Sequence, residues 1–176
     1  MKEKLLSSKL AYKGKIFNIH QDKVETPSGY ITYRDILIHH GAATAVPLTE
    51  NNEVILVKQY RHATGDILLE IPAGGLKPKE DPKDCIIREL QEEIGLKPKY
   101  IEHLYSIYLA PGYSSEYLHV YLAKDFEKAK LPADIDENLE VVKIKLEDLV
   151  KMITTGEIKD AKTIAAILTV YTKTSR

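Results

Sequence analysis

The chain has 176 residues, 44% hydrophobic and 29% charged, which suits one folded domain with its own core and excludes a disordered chain. A formal net charge of -1 excludes a global basic field for nucleic acid or anionic membrane, so affinity for phosphate has to arise at a local site. The single cysteine, Cys85, excludes an intramolecular disulfide; no segment has the apolar run of a signal peptide or of a membrane span, and the expectation is a cytoplasmic protein forming one domain over residues 1–176.

In chain order, residues 9–25 read as extended segments broken at Gly14. Thr26-Pro27-Ser28-Gly29 has turn chemistry, because proline fixes φ and glycine tolerates a positive one. Residues 30–38 return as a strand rich in aromatic and β-branched side chains, which completes an N-terminal antiparallel unit over residues 1–40. Residues 42–49 and 53–60 read as a strand pair around the tight turn Glu50-Asn51-Asn52, and residues 67–73 as one short strand ending at Gly74-Gly75. Residues 81–94 carry a helical stripe of Ile86, Ile87, Leu90 and Ile94, with Asp81 as N-cap, Pro82 at the first helical position and Gly95 beyond the end. Strands are expected at 100–109, 117–123 and 139–146, with a loop from Ala110 to Glu116 between the first two. A helix is expected from Leu146 to Gly156, and a last one from Asp160 to Tyr171 with Asp160 or Thr163 as cap. Helices laid on a mixed sheet place the chain in the α/β or α+β class.

The chemistry concentrates at 73–96. Glu89, Glu92 and Glu93 fall at i, i+3 and i+4, so their carboxylates share one helical face, and the apolar stripe is expected to face roughly the other way. Such like charges cost a few tenths of a kcal/mol per pair in an isolated helix, and a hard divalent cation reverses the sign by accepting carboxylate oxygens. Arg88 can reach Glu92 or Glu80, and Gly74-Gly75 lets backbone approach an ion or phosphate without a side chain between. The competing reading of the same residues is an ordinary solvated acidic face.

Gly74, Glu80, Arg88, Glu89, Leu90, Glu92, Glu93, Gly95 and Leu96 fill every fixed position of the Nudix box, and the segment resembles it in full. The resemblance to the ADP-ribose pyrophosphatases of that superfamily runs on through Arg34-Asp35, His39-x-Gly41-Ala42, Val57 to Arg61, Glu70 to Gly74, Ala110 to Tyr113 with Glu116, Asp136-Glu137 and Asp160 to Thr163. It implies a Nudix fold, an α/β/α sandwich around a mixed sheet with residues 41–176 as the catalytic core. It implies metal ligation by Glu89 and Glu93, with Glu92 close by and the Ala73 carbonyl as a backbone ligand, Mg²⁺ as the ion and Mn²⁺ as a substitute. Arg61 and Glu70 are expected to contact substrate, as are Arg34, the Pro111-Gly112 turn and Glu116. Glu137 is the expected general base, with Glu140 second and Asp136 third. The N-terminal strands are expected to build a homodimer. His40, Lys77 and Lys79 depart from the subfamily's habit, Lys79 standing where a glycine often precedes the box glutamate.

The implied function is hydrolysis of ADP-ribose to AMP and ribose 5-phosphate. The alternatives are the same chemistry on another nucleoside diphosphate sugar such as GDP-mannose, and a sensor that binds ADP-ribose without cleaving it. Sensors tend to lose box glutamates, all of which stand here.

Overall fold

The Thr26 to Tyr30 turn closes through two backbone bonds. The Thr26 N–H donates to the Tyr30 carbonyl at 2.8 Å and the Gly29 N–H to the Thr26 carbonyl at 2.9 Å, with Gly29 at φ +82°. The computed structural model describes residues 1–132 and 138–174, and around this turn it forms an antiparallel sheet of β1 (Lys4–Lys13), β2 (Phe17–Glu25) and β3 (Ile31–His39), in the order β1-β2-β3. β1 begins five residues earlier than its apolar pattern suggests, because pairing with β2 continues to Lys4 opposite Glu25. Every position of β1 is exposed.

The chain divides into two compact units, Met1–Gly41 with Ile107–Leu118, and Ala42–Ser106 with His119–Arg176. Within the first, the loop after Tyr108 is sewn to β3. The Leu37 N–H donates to the Tyr113 carbonyl at 2.8 Å, the Ser115 N–H to the Leu37 carbonyl at 2.9 Å and the His39 N–H to Ser115 Oγ at 3.0 Å.

The second unit holds β4 (Ala42–Pro47), β5 (Glu53–Arg61), β6 (Asp66–Glu70), β7 (Ala73–Gly75), β10 (Leu139–Lys145) and most of β8 (Leu96–Tyr108) and β9 (Tyr117–Lys128). These strands form two sheets, ordered β10-β5-β6 and β7-β4-β9-β8. The turn expected at 50–52 forms, but the pairing of its flanks does not persist: after one bridge between Leu48 and Val54, β4 and β5 part into different sheets. β4 is buried at all six positions and β5 from Val54 to Val57, so both need cover on two faces, which a simple hairpin does not supply. The single strand expected at 67–73 is likewise two strands. Pro72 has no N–H to continue the ladder, and its carbonyl instead accepts from Ala45 N at 3.2 Å and Thr44 Oγ1 at 2.8 Å, which delivers Ala73 to β4.

Among the described residues three helices lie on this framework. α1 (Pro82–Glu93) packs on β4 and β7, α2 (Leu146–Thr154) on β10 and α3 (Ala161–Thr174) on β4 and α2. The architecture is the mixed α/β class read from the sequence. Ala43 and Ala45 meet Cys85, Ile86 and Leu90 of α1 and Tyr121 and Ala123 of β9 in one core cluster. The small alanines let the helix settle close to the sheet, which fixes the height of everything α1 carries. Among the described residues no helix is long and apolar enough to cross a membrane.

Candidate active site

α1 starts and stops where its local chemistry dictates. Asp81 accepts from Lys83 N at 2.8 Å, Pro82 opens the first turn, and Gly95 takes φ +71° just past the last turn. One expectation about its faces is corrected. Cys85, Ile86, Glu89, Leu90 and Glu93 are all buried, with Glu89 only 8% and Glu93 9% exposed. The acidic and apolar stripes are therefore neighbours on the covered side, because β7 and its glycines lie over the arc that carries Glu89.

Gly74 makes that burial possible. A Cβ there would overlap the Glu89 carboxylate, so the bare backbone is the cradle in which the acid sits. Arg88 gathers the remaining acids: Nε donates to Glu80 Oε1 at 2.9 Å, and Nη1 to Glu89 Oε1 at 2.5 Å and to Glu92 Oε2 at 2.8 Å. The Arg88 bond holds the Glu80 carboxyl down at about 2, and the same bond, helped by the charge of Glu89, raises Arg88 above its ordinary value. Burial, reinforced by the charges of Glu80 and Glu89, pushes the Cys85 thiol up to about 12. Cys85 is thus a neutral donor to the Gly74 and Gly75 carbonyls, at 3.6 and 3.5 Å.

The turn into this helix contains Lys79 at φ +64°, the left-handed region that favours glycine. Lys79→Gly is expected to leave activity unchanged and to raise stability by up to about 1 kcal/mol, after glycine's greater freedom in the unfolded chain is set against the relieved backbone. Thermal unfolding checks it, and a lowered midpoint would mean that the lysine side chain holds the turn.

A second network lies at the end of β5. The Arg61 fork donates from Nε to Glu70 Oε1 and from Nη2 to Glu70 Oε2, both at 2.7 Å. Glu70 is 1% exposed and its Oε2 also accepts from Lys162 Nζ. Burial by itself would raise the Glu70 carboxyl, yet the bonds from Arg61 and Lys162 outweigh it and hold the group below the ordinary carboxylate range. The bond to Glu70 raises Arg61 against the cost of its own burial, and the charges of Asp160 and Glu93 add to the effect. Lys162 falls in the Asp160 to Thr163 segment of the resemblance, which gives it no partner; the structure supplies one in Glu70.

A cleft of about 240 Å³ is lined by Glu92, Glu93, Ile94, Gly95, Lys130, Leu139 and Val141. Successive side chains of a strand point to opposite faces, so Glu140, between Leu139 and Val141, is turned away from the α1 acids. It pairs there with Lys58 at 2.8 Å. The structure therefore does not bring Glu140 to the cluster as the sequence suggests. Asp136 and Glu137 lie outside the described residues.

Ala73, Glu89, Glu92, Glu93, Arg61 and Glu70 belong to the second unit, and Arg34, Pro111, Gly112 and Glu116 to the first. Arg34 Nη2 meets Glu3 Oε1 at 2.6 Å. Pro111 and Gly112 form the turn that the Ala110 carbonyl closes by accepting from Tyr113 N at 3.1 Å and Ser114 N at 2.9 Å, and Glu116 N donates to Ser114 Oγ at 3.1 Å.

A family model described as the NUDIX domain matches residues 38–167. The ADP-ribose pyrophosphatase of Bacillus subtilis (strain 168) is 35% identical over 169 residues, 95% of this chain and 91% of its own. The GDP-mannose pyrophosphatase of Escherichia coli (strain K12 / DH10B) is 30% identical over 186 residues, 99% of this chain and 94% of its own. A solved structure described as an ADP compounds hydrolase superposes with a TM-score of 0.87 over 97% of this chain and 93% of its own, at 22% identity, a likeness of fold.

Proposed function

The chain belongs to the NUDIX domain family, and from that premise we propose that it hydrolyses the pyrophosphate bond of ADP-ribose, releasing AMP and ribose 5-phosphate. The observation that carries the reading is the set of carboxylates gathered on Arg88 beside the glycine bend, in a chain similar over nearly its whole length to an ADP-ribose pyrophosphatase.

Nudix hydrolases generally need divalent metal ions, and the residues here fit one. The donor set is hard carboxylate oxygen, drawn here onto the Arg88 guanidinium rather than around an open position, and at Gly74 the space a side chain would fill is left to the Glu89 carboxylate. Glu89, Glu92, Glu93 and the Ala73 carbonyl would hold it, with Mg²⁺ as the ion and Mn²⁺ as a substitute. Bound there, the ion supplies charge for the phosphate oxygens and a more acidic water. Arg88 keeps Glu89 and Glu92 oriented, and its own charge lowers the repulsion among them. Arg61, whose fork is spent on Glu70, offers its remaining N–H groups to a phosphate oxygen. Arg34, Glu116 and the Pro111-Gly112 turn contribute to substrate binding. Glu137 takes the proton of the attacking water. Glu137→Gln is expected to lower kcat by about 10²-fold or more at unchanged metal requirement, within the range usual for a lost general base. Steady-state kinetics decide it, and a loss under about threefold removes Glu137 from the mechanism.

The chain acts in the cytoplasm as a homodimer. The exposed β1, with Leu5, Leu6, Leu10 and Tyr12 all uncovered, supports the dimer, since a strand open along its whole length invites pairing. The relative that acts on GDP-mannose favours one second reading, the same hydrolysis on that nucleotide sugar. Incubation with Mg²⁺ and a panel of ADP-ribose, GDP-mannose, NADH, Ap4A and dNTPs, with products identified, separates the two. Much faster turnover of GDP-mannose would overturn the ADP-ribose assignment and leave the metal site standing.

A further inference from the structure

Both oxygens of Glu70 are engaged within the protein. Oε1 accepts from Arg61 Nε, and Oε2 accepts from both Arg61 Nη2 and Lys162 Nζ. Glu70 thereby orients the Arg61 fork, and Lys162 in turn holds Glu70. Lys162 lies in the first turn of α3 with its side chain only 11% exposed, and it is held in turn by Asp160 Oδ2 at 2.9 Å. Asp160 Oδ2 also accepts from Thr163 N at 3.0 Å and Thr163 Oγ1 at 2.5 Å, and Thr163 Oγ1 accepts from Ile71 N at 3.0 Å. Ile71 follows Glu70 in the chain, so the bonds close a ring through Glu70, Lys162, Asp160, Thr163 and Ile71.

The charges around this ring also matter. Arg61 and Lys162 balance Glu70 and Asp160. Without Lys162 the group would carry an excess negative charge beside Glu93, and Arg61 would face an anionic substrate with its own charge cancelled.

We propose that Lys162 is a positioning residue for substrate binding, which fixes Arg61 through Glu70 and keeps the Arg61 guanidinium electrostatically available to the diphosphate. The inference rests on the reading that Arg61 binds a substrate phosphate. Lys162 itself touches no substrate.

The test is a double-mutant cycle of K162M and R61A in the full-length protein, with KM and kcat measured separately at saturating Mg²⁺. K162M raises KM for ADP-ribose about tenfold with kcat within about threefold, and K162R recovers most of the loss because the charge returns. In the R61A background K162M adds less than about twofold to KM, since the path it acts through is already gone. A merely structural role would instead reduce the fraction of active enzyme, lowering kcat at constant KM with a lowered unfolding midpoint. That result, or effects of K162M and R61A that simply multiply, overturns the proposal. If the wild-type protein prefers GDP-mannose, the cycle is run on that substrate. If it cleaves no nucleoside diphosphate sugar, the proposed function fails on its own account, and the cycle is read as Kd for ADP-ribose by calorimetry, where multiplying effects again overturn the role of Lys162.

Discussion

Gly74→Ala is expected to reduce kcat by about 10²-fold while the protein stays folded, because a misplacement of roughly 1 Å at a catalytic constellation costs on that order. The reason is steric and local. The added methyl would occupy the place of the Glu89 carboxylate, and that acid is walled in, being 8% exposed and bonded to Arg88 at 2.5 Å. Backbone relief is blocked on the other side by the pairing of Gly74 with Ala43 in β4, a residue with no exposure at all. The side chain of Glu89 therefore has to move, and its hold on a metal goes with it. Kinetics over a Mg²⁺ titration, with circular dichroism to follow the fold, measure both parts. Activity within threefold of wild type would show that the glycine is a bend and nothing more.

The larger loss is expected from Glu93→Gln, on the order of 10³-fold in kcat, with a higher Mg²⁺ concentration needed for half-maximal rate. The substitution keeps shape and removes one charge from a side chain 9% exposed, in the cleft where Glu92 also stands. Near-wild-type turnover in Mg²⁺ would mean that the metal is held elsewhere, and with it the assignment of α1 as the catalytic helix would fall.

Sequence and structure agree where the signals are local. The cap at Asp81, the proline at the first helical position and the glycine beyond the last turn each act within a few residues, and α1 begins and ends as they direct. The partners of β4 and β5 could not be read the same way. An apolar strand buried on both faces has the same pattern whether its neighbour is the next strand or a distant one, and here β4 joins β7 and β9 instead of β5. Glu89 and Glu93 lie on the covered side of the helix, against the sequence expectation, for a related reason. Periodicity gives the arcs of a helix, but only the packing of β4 and β7 decides which arcs are covered. The resemblance offers Glu140 as the second candidate base, and the alternation of β10 turns it to the Lys58 side. The ion pair of Glu70 with Lys162 spans 92 residues and had no local trace.

Arg88 gives the acidic cluster a resident counter-ion. Many small metal-binding domains collapse when the metal is stripped, because their ligands repel one another and nothing else holds them. Here a guanidinium already stands among three carboxylates, so the chain itself offsets their mutual repulsion before any divalent ion arrives. Stripping divalent cations is therefore expected to leave the architecture standing, which circular dichroism in a chelator checks.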